Sequence, residues 1–220
     1  MKSECLVVIT KYPITGNVKT RLGEEIGLEN AANFNRAMIK DLVRVNLNQS
    51  YDLAIETNDI KHEYDLKLLV GNDIQIRSRL NNYLRGSESN TFEVIKSYLQ
   101  DYSKIIVVFS DVPGIDNNLV ELAFRKLDKK NVVVGSDIGG GYYLLGMNKA
   151  FDLFTSLPES RCQYYNLTLN LLRERKINFD LIKPLQDIDR VEDIRMINWD
   201  DMRKIWVNTY DLVSKLRLDS

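Results

Sequence analysis

Apolar positions along the chain recur with two periods. Short aliphatic and β-branched runs, CLVVIT, YDLAIET, KIIVVFS, NVVVG and YYLLGM, read as strands, and KIIVVFS as one buried on both faces. Between them, NAANFNRAMIKDLVRVNL, NTFEVIKSYLQDY, NNLVELAFRKL and NLTLNLLRERK carry apolar residues at helical spacing. EYDLKLLV predicts a shorter helix, DIQIR and FDLIKPL are strand-like, and DRVEDIRMI reads as a helix opened by an acidic turn. Asn118 and Glu121 are spaced as a capping box for NNLVELAFRKL.

Strands alternating with helices predict an α/β fold, a mostly parallel central sheet with helices on both faces. Ligands of such sheets sit beyond the carboxyl ends of the strands. No repeat or linker-like tract divides the chain, so residues 1–197 are read as one domain. In 198–220 the residues Met202, Ile205, Trp206, Tyr210, Val213 and Leu216 recur at helical spacing. They predict a C-terminal helix packed on the same domain, with a homodimer contact as the alternative.

Composition narrows the chemistry. The chain has 220 residues, 44% of them hydrophobic, enough for one core. Its 30 basic and 31 acidic residues leave a net charge of −1, which argues against a general nucleic-acid surface. Cys5 and Cys162 build neither a disulfide framework nor a zinc knuckle, and two reduced thiols fit a cytoplasmic protein. Met1-Lys2-Ser3-Glu4 leads directly into the first strand, so no signal peptide is expected, and no apolar run reaches membrane-spanning length. The one histidine, His62, lies in the polar segment NDIKHEYDLKLL and is read as a solvated surface residue. Carboxylates, lysine, arginine, hydroxyls or a hard cation remain to carry any reaction.

The first strand stops in KYPITGNVKTRL. Gly16, Lys19 and Thr20 suggest a P-loop, but Asn17 and Val18 separate the glycine from the lysine, and that pattern fails. The loop still suits an anion. Lys11, Lys19 and Arg21 bring positive charge, Gly16 allows close backbone approach, Pro13 stiffens the entry, and a helix starting in VKTRLGEEIG would aim free N–H groups at the same place. A solvated basic turn is the alternative.

Three later segments supply counterparts. Asp111 directly follows KIIVVFS and precedes Pro113 at two residues' distance, a position suited to holding Mg²⁺ or Mn²⁺ against substrate phosphates, or else to capping a helix or forming a turn. Gly139, Gly140 and Gly141 lie between two strands and allow close approach of a ligand, and Tyr142 and Tyr143 offer rings and hydroxyls for a sugar; an ordinary hairpin-like turn is the alternative. Asp187 and Asp189 close FDLIKPLQDID, and one of them is placed to cap the next helix.

In this order the segments resemble the DUF2064 family, part of which is known as arsenosugar-biosynthesis glycosyltransferases. Its opening pattern K-x-P-x-P-G-x-V-K-T-R-L is met at Lys11, Pro13, Gly16, Val18, Lys19, Thr20, Arg21 and Leu22, with Thr15 for the second proline. G-S-D-x-P is met at Ser110, Asp111 and Pro113, with Phe109 for glycine; D-G-G-Y-Y-L-x-G from Gly140 to Gly146; and D-x-D-x-x-E-D at Asp187, Asp189, Glu192 and Asp193. Gly139 stands where the family has aspartate, and Asp137 would take its place only if the loop re-registers. The usual tryptophan is missing from LPESRCQYYNLT, and a further family segment is blurred in IRSRLNNYLRGSES. The resemblance implies the nucleotide-diphospho-sugar transferase (GT-A) fold, a three-layer sandwich, with 2-phospholactate guanylyltransferases as more distant relatives.

It further implies a glycosyltransferase that takes a nucleotide-diphospho-sugar and a small-molecule acceptor with Mg²⁺ or Mn²⁺. Lys11, Pro13, Gly16, Lys19, Thr20 and Arg21 would bind the nucleotide, Asp111 the metal, Gly140, Gly141 and Tyr142 the sugar or acceptor, and Asp189 or Asp187 would serve catalysis. Two alternatives stand beside it: a nucleotidyltransferase that releases pyrophosphate from a nucleoside triphosphate, and a non-catalytic nucleotide-binding or interaction protein of the same fold.

Overall fold

A computed structural model describes residues 3–57, 60–78, 89–153 and 164–219. Strands β1 (Glu4–Thr10), β2 (Asp52–Thr57), β3 (Gln75–Arg77), β4 (Lys104–Phe109), β5 (Val132–Asp137), β6 (Tyr142–Met147) and β7 (Phe179–Leu185) form one sheet in the order β3-β2-β1-β4-β6-β5-β7. Only β6 runs against its two neighbours among these pairings. The carboxyl ends of β1, β4, β5 and β7 and the amino end of β6 therefore share one edge. Pro184 lies in the edge strand β7, where its missing N–H costs little.

Strand alternation sends side chains to two cores. One face, with Leu6, Val8, Ile55, Ile106 and Val108, packs against α1 (Thr20–Ile26), α2 (Leu28–Asn46), α3 (Glu63–Val70) and α5 (Asn117–Leu127). The other, with Cys5, Val7, Ala54, Ile105 and Val107, packs against α4 (Ser89–Tyr98) and α6 (Tyr164–Glu174). Cys5 is a free thiol in this second core, and burial pushes its pKa up to about 12; Cys162 lies outside the described residues, as does 79–88.

Local details depart from the pattern. The cap of α5 is Asp116, whose carboxylate accepts from the Leu119 N–H at 2.8 Å, in place of the expected capping box from Asn118. His62 is not simply solvated: its ring stacks on Tyr12, centroids 4.1 Å apart and 5° from parallel, with Nδ1 3.1 Å from Asp65. After α7 (Val191–Arg195), the tail forms two short helices, α8 (Trp199–Met202) and α9 (Val207–Leu216), where one was expected. Trp206 between them is fully buried, as is Val213, so the apolar stripe of the tail packs inward.

Asp41 of α2 sets where α9 begins. It is fully buried, and its carboxylate accepts from the Thr209 N–H (2.7 Å) and hydroxyl (2.8 Å) and from the Asn208 N–H (3.2 Å) and Nδ2 (2.7 Å). These donors include N–H groups of the first turn of α9, which has no side-chain cap of its own.

Candidate active site

The loop from Lys11 to Lys19 leaves β1 at the carboxyl edge. Its turn is held by Asn17 N–H donating to Ile14 O at 3.0 Å and by Arg36 of α2 donating to Pro13 O at 2.7 Å. Gly16 takes φ +82°, a conformation that favours glycine. Lys19 also has positive φ, 46°, at the entry to α1. This turns its side chain back under the sheet edge, where it is only 7% exposed.

Two strand ends meet that ammonium. Lys19 Nζ donates to Asp111 Oδ2 at 2.9 Å and to Asp189 Oδ1 at 3.2 Å, joining the ends of β1, β4 and β7. Burial alone would lower the Lys19 pKa, but the two carboxylates outweigh it and hold it above its ordinary value. Arg21 Nη1 takes the other oxygen of Asp189 at 3.0 Å. Asp111 is set by a buried hydroxyl pair just before it, Ser110 donating to Thr10 at 2.8 Å, and its carbonyl accepts from Ile188 N–H at 3.0 Å.

Neither Asp187 nor Asp189 caps α7. Asp193 organises that turn, its Oδ2 accepting from the N–H groups of Asp189 and Arg190, both at 2.8 Å. Asp187 is raised to about 6, by burial first and then by Asp137, Asp111 and Asp189, with Lys19 opposing. Asp187 therefore faces three other carboxylates.

The third of these, Asp137, comes from the glycine segment. The strand register shifts at the end of β5, and Asp137 folds back so that Oδ1 accepts from Gly141 N–H at 2.8 Å. Its pKa is raised, burial leading and Asp111 adding, against hydrogen bonds from the amides of Gly141, Gly140 and Gly139. A Cβ built on Gly139 would lie 3.4 Å from Asp137 Oδ1 and 4.0 Å from Asp187 Oδ1. An aspartate at 139 would thus stand between two carboxylates already there. Asp137 closes a buried strand just as Asp111 does, and that shared position is the signal that marks it.

The structure brings Lys19, Arg21, Asp111, Asp187 and Asp189 together and adds Asp137. Lys11 is exposed on the loop and Thr20 at the start of α1, and Gly140 and Gly141 border the cluster through Asp137. Tyr142, expected at the sugar, is 5% exposed and packs beside Phe109, so its ring belongs to the core beneath the loop. The Tyr143 hydroxyl is likewise committed inward, donating to Lys183 O at 2.9 Å.

The donor set suits a hard divalent cation: every acidic group is a carboxylate, and burial first, then mutual repulsion, raises Asp187 and Asp137. Among the described residues no three His, Cys, Asp or Glu side chains form a ready metal cage. A cation here would take one or two carboxylates and complete its shell with phosphate oxygens and water.

The sheet has the architecture of the nucleotide-diphospho-sugar transferase (GT-A) fold, with cationic and acidic groups converging on its carboxyl edge. Residues 57–161 match the family described as "Uncharacterized protein conserved in bacteria (DUF2064)", in keeping with the resemblance read from the motifs. No curated protein matches the chain significantly. Among solved structures, one from Desulfovibrio desulfuricans G20, described as a candidate nucleotide-diphospho-sugar transferase, is 23% identical with a TM-score of 0.88, covering 100% of this chain and 99% of its own. A 4-diphosphocytidyl-2C-methyl-D-erythritol synthase from Anaerococcus prevotii DSM 20548 is 12% identical (TM-score 0.55; 92% and 99% covered). Glucosyl-3-phosphoglycerate synthase of Mycobacterium tuberculosis, in complex with Mn²⁺, UDP and glucosyl-3-phosphoglycerate, is 11% identical (TM-score 0.50; 98% and 80% covered). At these identities the likeness is one of fold. No helix among the described residues is long and apolar enough to cross a membrane.

Proposed function

We propose that the protein is a glycosyltransferase that moves a sugar from a nucleotide-diphospho-sugar to a small acceptor. The observation that carries this reading is the buried Lys19 ammonium, held between Asp111 and Asp189 at the edge where such folds bind ligands. Lys19, Arg21 and Lys11 would neutralise the diphosphate, on a loop shaped by Pro13 and Gly16 and followed by Thr20. Asp111 would hold Mg²⁺ or Mn²⁺, which when bound supplies positive charge to the leaving diphosphate. Gly140 and Gly141 would border the sugar or acceptor.

In the transfer, the bond between the anomeric carbon and the diphosphate oxygen breaks, and its electron pair stays on the nucleotide diphosphate. The acceptor oxygen bonds to that carbon and releases its proton to a carboxylate. Asp187 fits the role of base, because a pKa raised to about 6 lies near working pH. Asp189, shared between Lys19 and Arg21, is better suited to positioning them.

Nucleotidyl transfer is the second reading, supported by the shared fold of the diphosphocytidyl-methylerythritol synthase. Incubation with nucleotide-sugars or nucleoside triphosphates, Mn²⁺ and an acceptor panel separates the two. Free nucleoside diphosphate with a glycosylated acceptor supports sugar transfer, whereas pyrophosphate supports nucleotidyl transfer. If neither product forms and no nucleotide shifts the melting temperature, a non-catalytic role replaces both. Asp111→Ala is expected to abolish turnover.

A further inference from the structure

The sheet has a second edge. Opposite the Lys19 cluster, a cleft of about 280 Å³ is lined by the end of α2, the starts of β2 and β3 and the segment before β4. That volume lies at the foot of the range ligand pockets occupy, so it suits a molecule of few non-hydrogen atoms. Leu47, Leu53 and Ile74 supply its apolar wall.

The polar groups of the cleft are one-sided. Tyr51 donates its hydroxyl proton to Asn46 Oδ1 at 2.7 Å, and Tyr102 donates its own to Asp52 Oδ2 at 3.1 Å. Burial, ahead of nearby negative charge, raises the pKa of both phenols, so these protons stay in place. Asn46 Nδ2 donates in turn to Leu42 O at 2.8 Å. The hydroxyl donors are thus committed to the wall itself, and oxygen acceptors face a guest. The side-chain amides of Asn48 and Gln75, also in the lining, can serve either way.

Charge points in the same direction. Asp52 and Asp73 bring carboxylates, and the carboxyl end of the 19-residue helix α2 adds its partial negative charge. No lysine or arginine is among the described residues that line the cleft. This field repels an anion, whereas an ammonium carries three N–H donors and the complementary charge.

We propose that the cleft binds a primary ammonium on a short alkyl body, its head toward the carboxylates and its body against Leu47, Leu53 and Ile74. The site lies at the amino edge of the sheet, apart from the carboxyl edge where transfer is placed, and it stands independently of the nucleotide-sugar reading.

The test is titration of the full chain with n-butylamine, followed through amide chemical shifts by NMR. The amine is expected to bind with a Kd on the order of 1 mM, in keeping with its few atoms, and to shift the amides of Asn48, Asp73 and Gln75. n-Butanol, of the same shape without the charge, is expected to bind at least about tenfold more weakly, and butyrate not at all. Asp73→Asn is expected to weaken amine binding by roughly threefold to fivefold. Gln75→Lys, which puts an ammonium of the protein's own at the rim, is expected to abolish it. Both positions are exposed, so neither change burdens folding, and each variant decides by itself. Shifts that fail to appear, that appear equally with n-butanol, or that gather at the Lys19–Asp189 cluster instead overturn the proposal. So does an affinity unchanged in the two variants.

Discussion

Three adjacent glycines differ in their need to be small. Gly140 takes φ +94°, which an L side chain adopts only with strain, so Gly140→Ala is expected to cost about 1 kcal/mol. Gly141 has no such φ, but a Cβ there would lie 2.5 Å from Asp137 Oδ2. Gly141→Ala should therefore push the Asp137 carboxylate off its amide and weaken ligand binding. At Gly139 the nearest contact is an ordinary 3.4 Å, so Gly139→Ala should fall within about 0.5 kcal/mol of wild type. Urea midpoints of the three variants check the order. Asp187 gives a pH prediction. Its pKa is raised in the fold from 3.8 to about 6, so the folded state holds the proton more tightly than the unfolded chain. Stability from this group is full below the unfolded value, falls as pH rises through that window and is flat above it. Asp187→Asn should flatten that fall and melt higher than wild type above the window; an unchanged slope of melting temperature against pH would refute the assignment. Asp111 was legible because it directly follows the β-branched run KIIVVFS, and the Lys11–Arg21 loop and the Asp187–Asp189 pair because each follows a strand-like segment that ends at the carboxyl edge. The Asp137 carboxylate was harder to place, because only the register shift turns it inward. Tyr142 misled for a related reason: an aromatic beside glycines looks available, but sheet alternation sends it to the core.

Elements show how far local pattern reaches. The spacing EYDLKLLV reproduces α3, and FDLIKPL reproduces β7, because the local residue pattern suffices for both. The tail resisted because its helix boundary is set from a distance. Trp206 leaves the helical region, φ −107° and ψ 60°, and the first N–H groups of α9 find their acceptor on Asp41, 167 residues away from Asn208. No spacing within 198–220 can announce that. Asp41→Ala should strand buried donors of α9 and cost about 2–4 kcal/mol, read as a lower urea midpoint. A loss under 1 kcal/mol would mean that water replaces the carboxylate.

At the scale of the whole molecule, alternation of strands and helices was enough to give the layers, and the reversed β6 follows the hairpin-like turn that stood as the alternative for the glycine segment. Periodicity carries no strand direction, whereas the short glycine connection between β5 and β6 permits a hairpin that a parallel crossover cannot use. The site gathers partners 92 and 170 residues apart, so it exists only in the finished sheet. The Asp41 latch adds a matter of timing. During synthesis α2 leaves the ribosome long before Asn208, 167 residues behind Asp41, a delay of roughly ten to thirty seconds at bacterial rates. Until then the carboxylate has no such donors, and the groove for Trp206 stays open. Completion of this packing is thereby deferred until the 198–220 segment has been made, and nascent chains stalled before Trp206 should keep α2 open to protease, a sensitivity that vanishes once Leu218 has emerged.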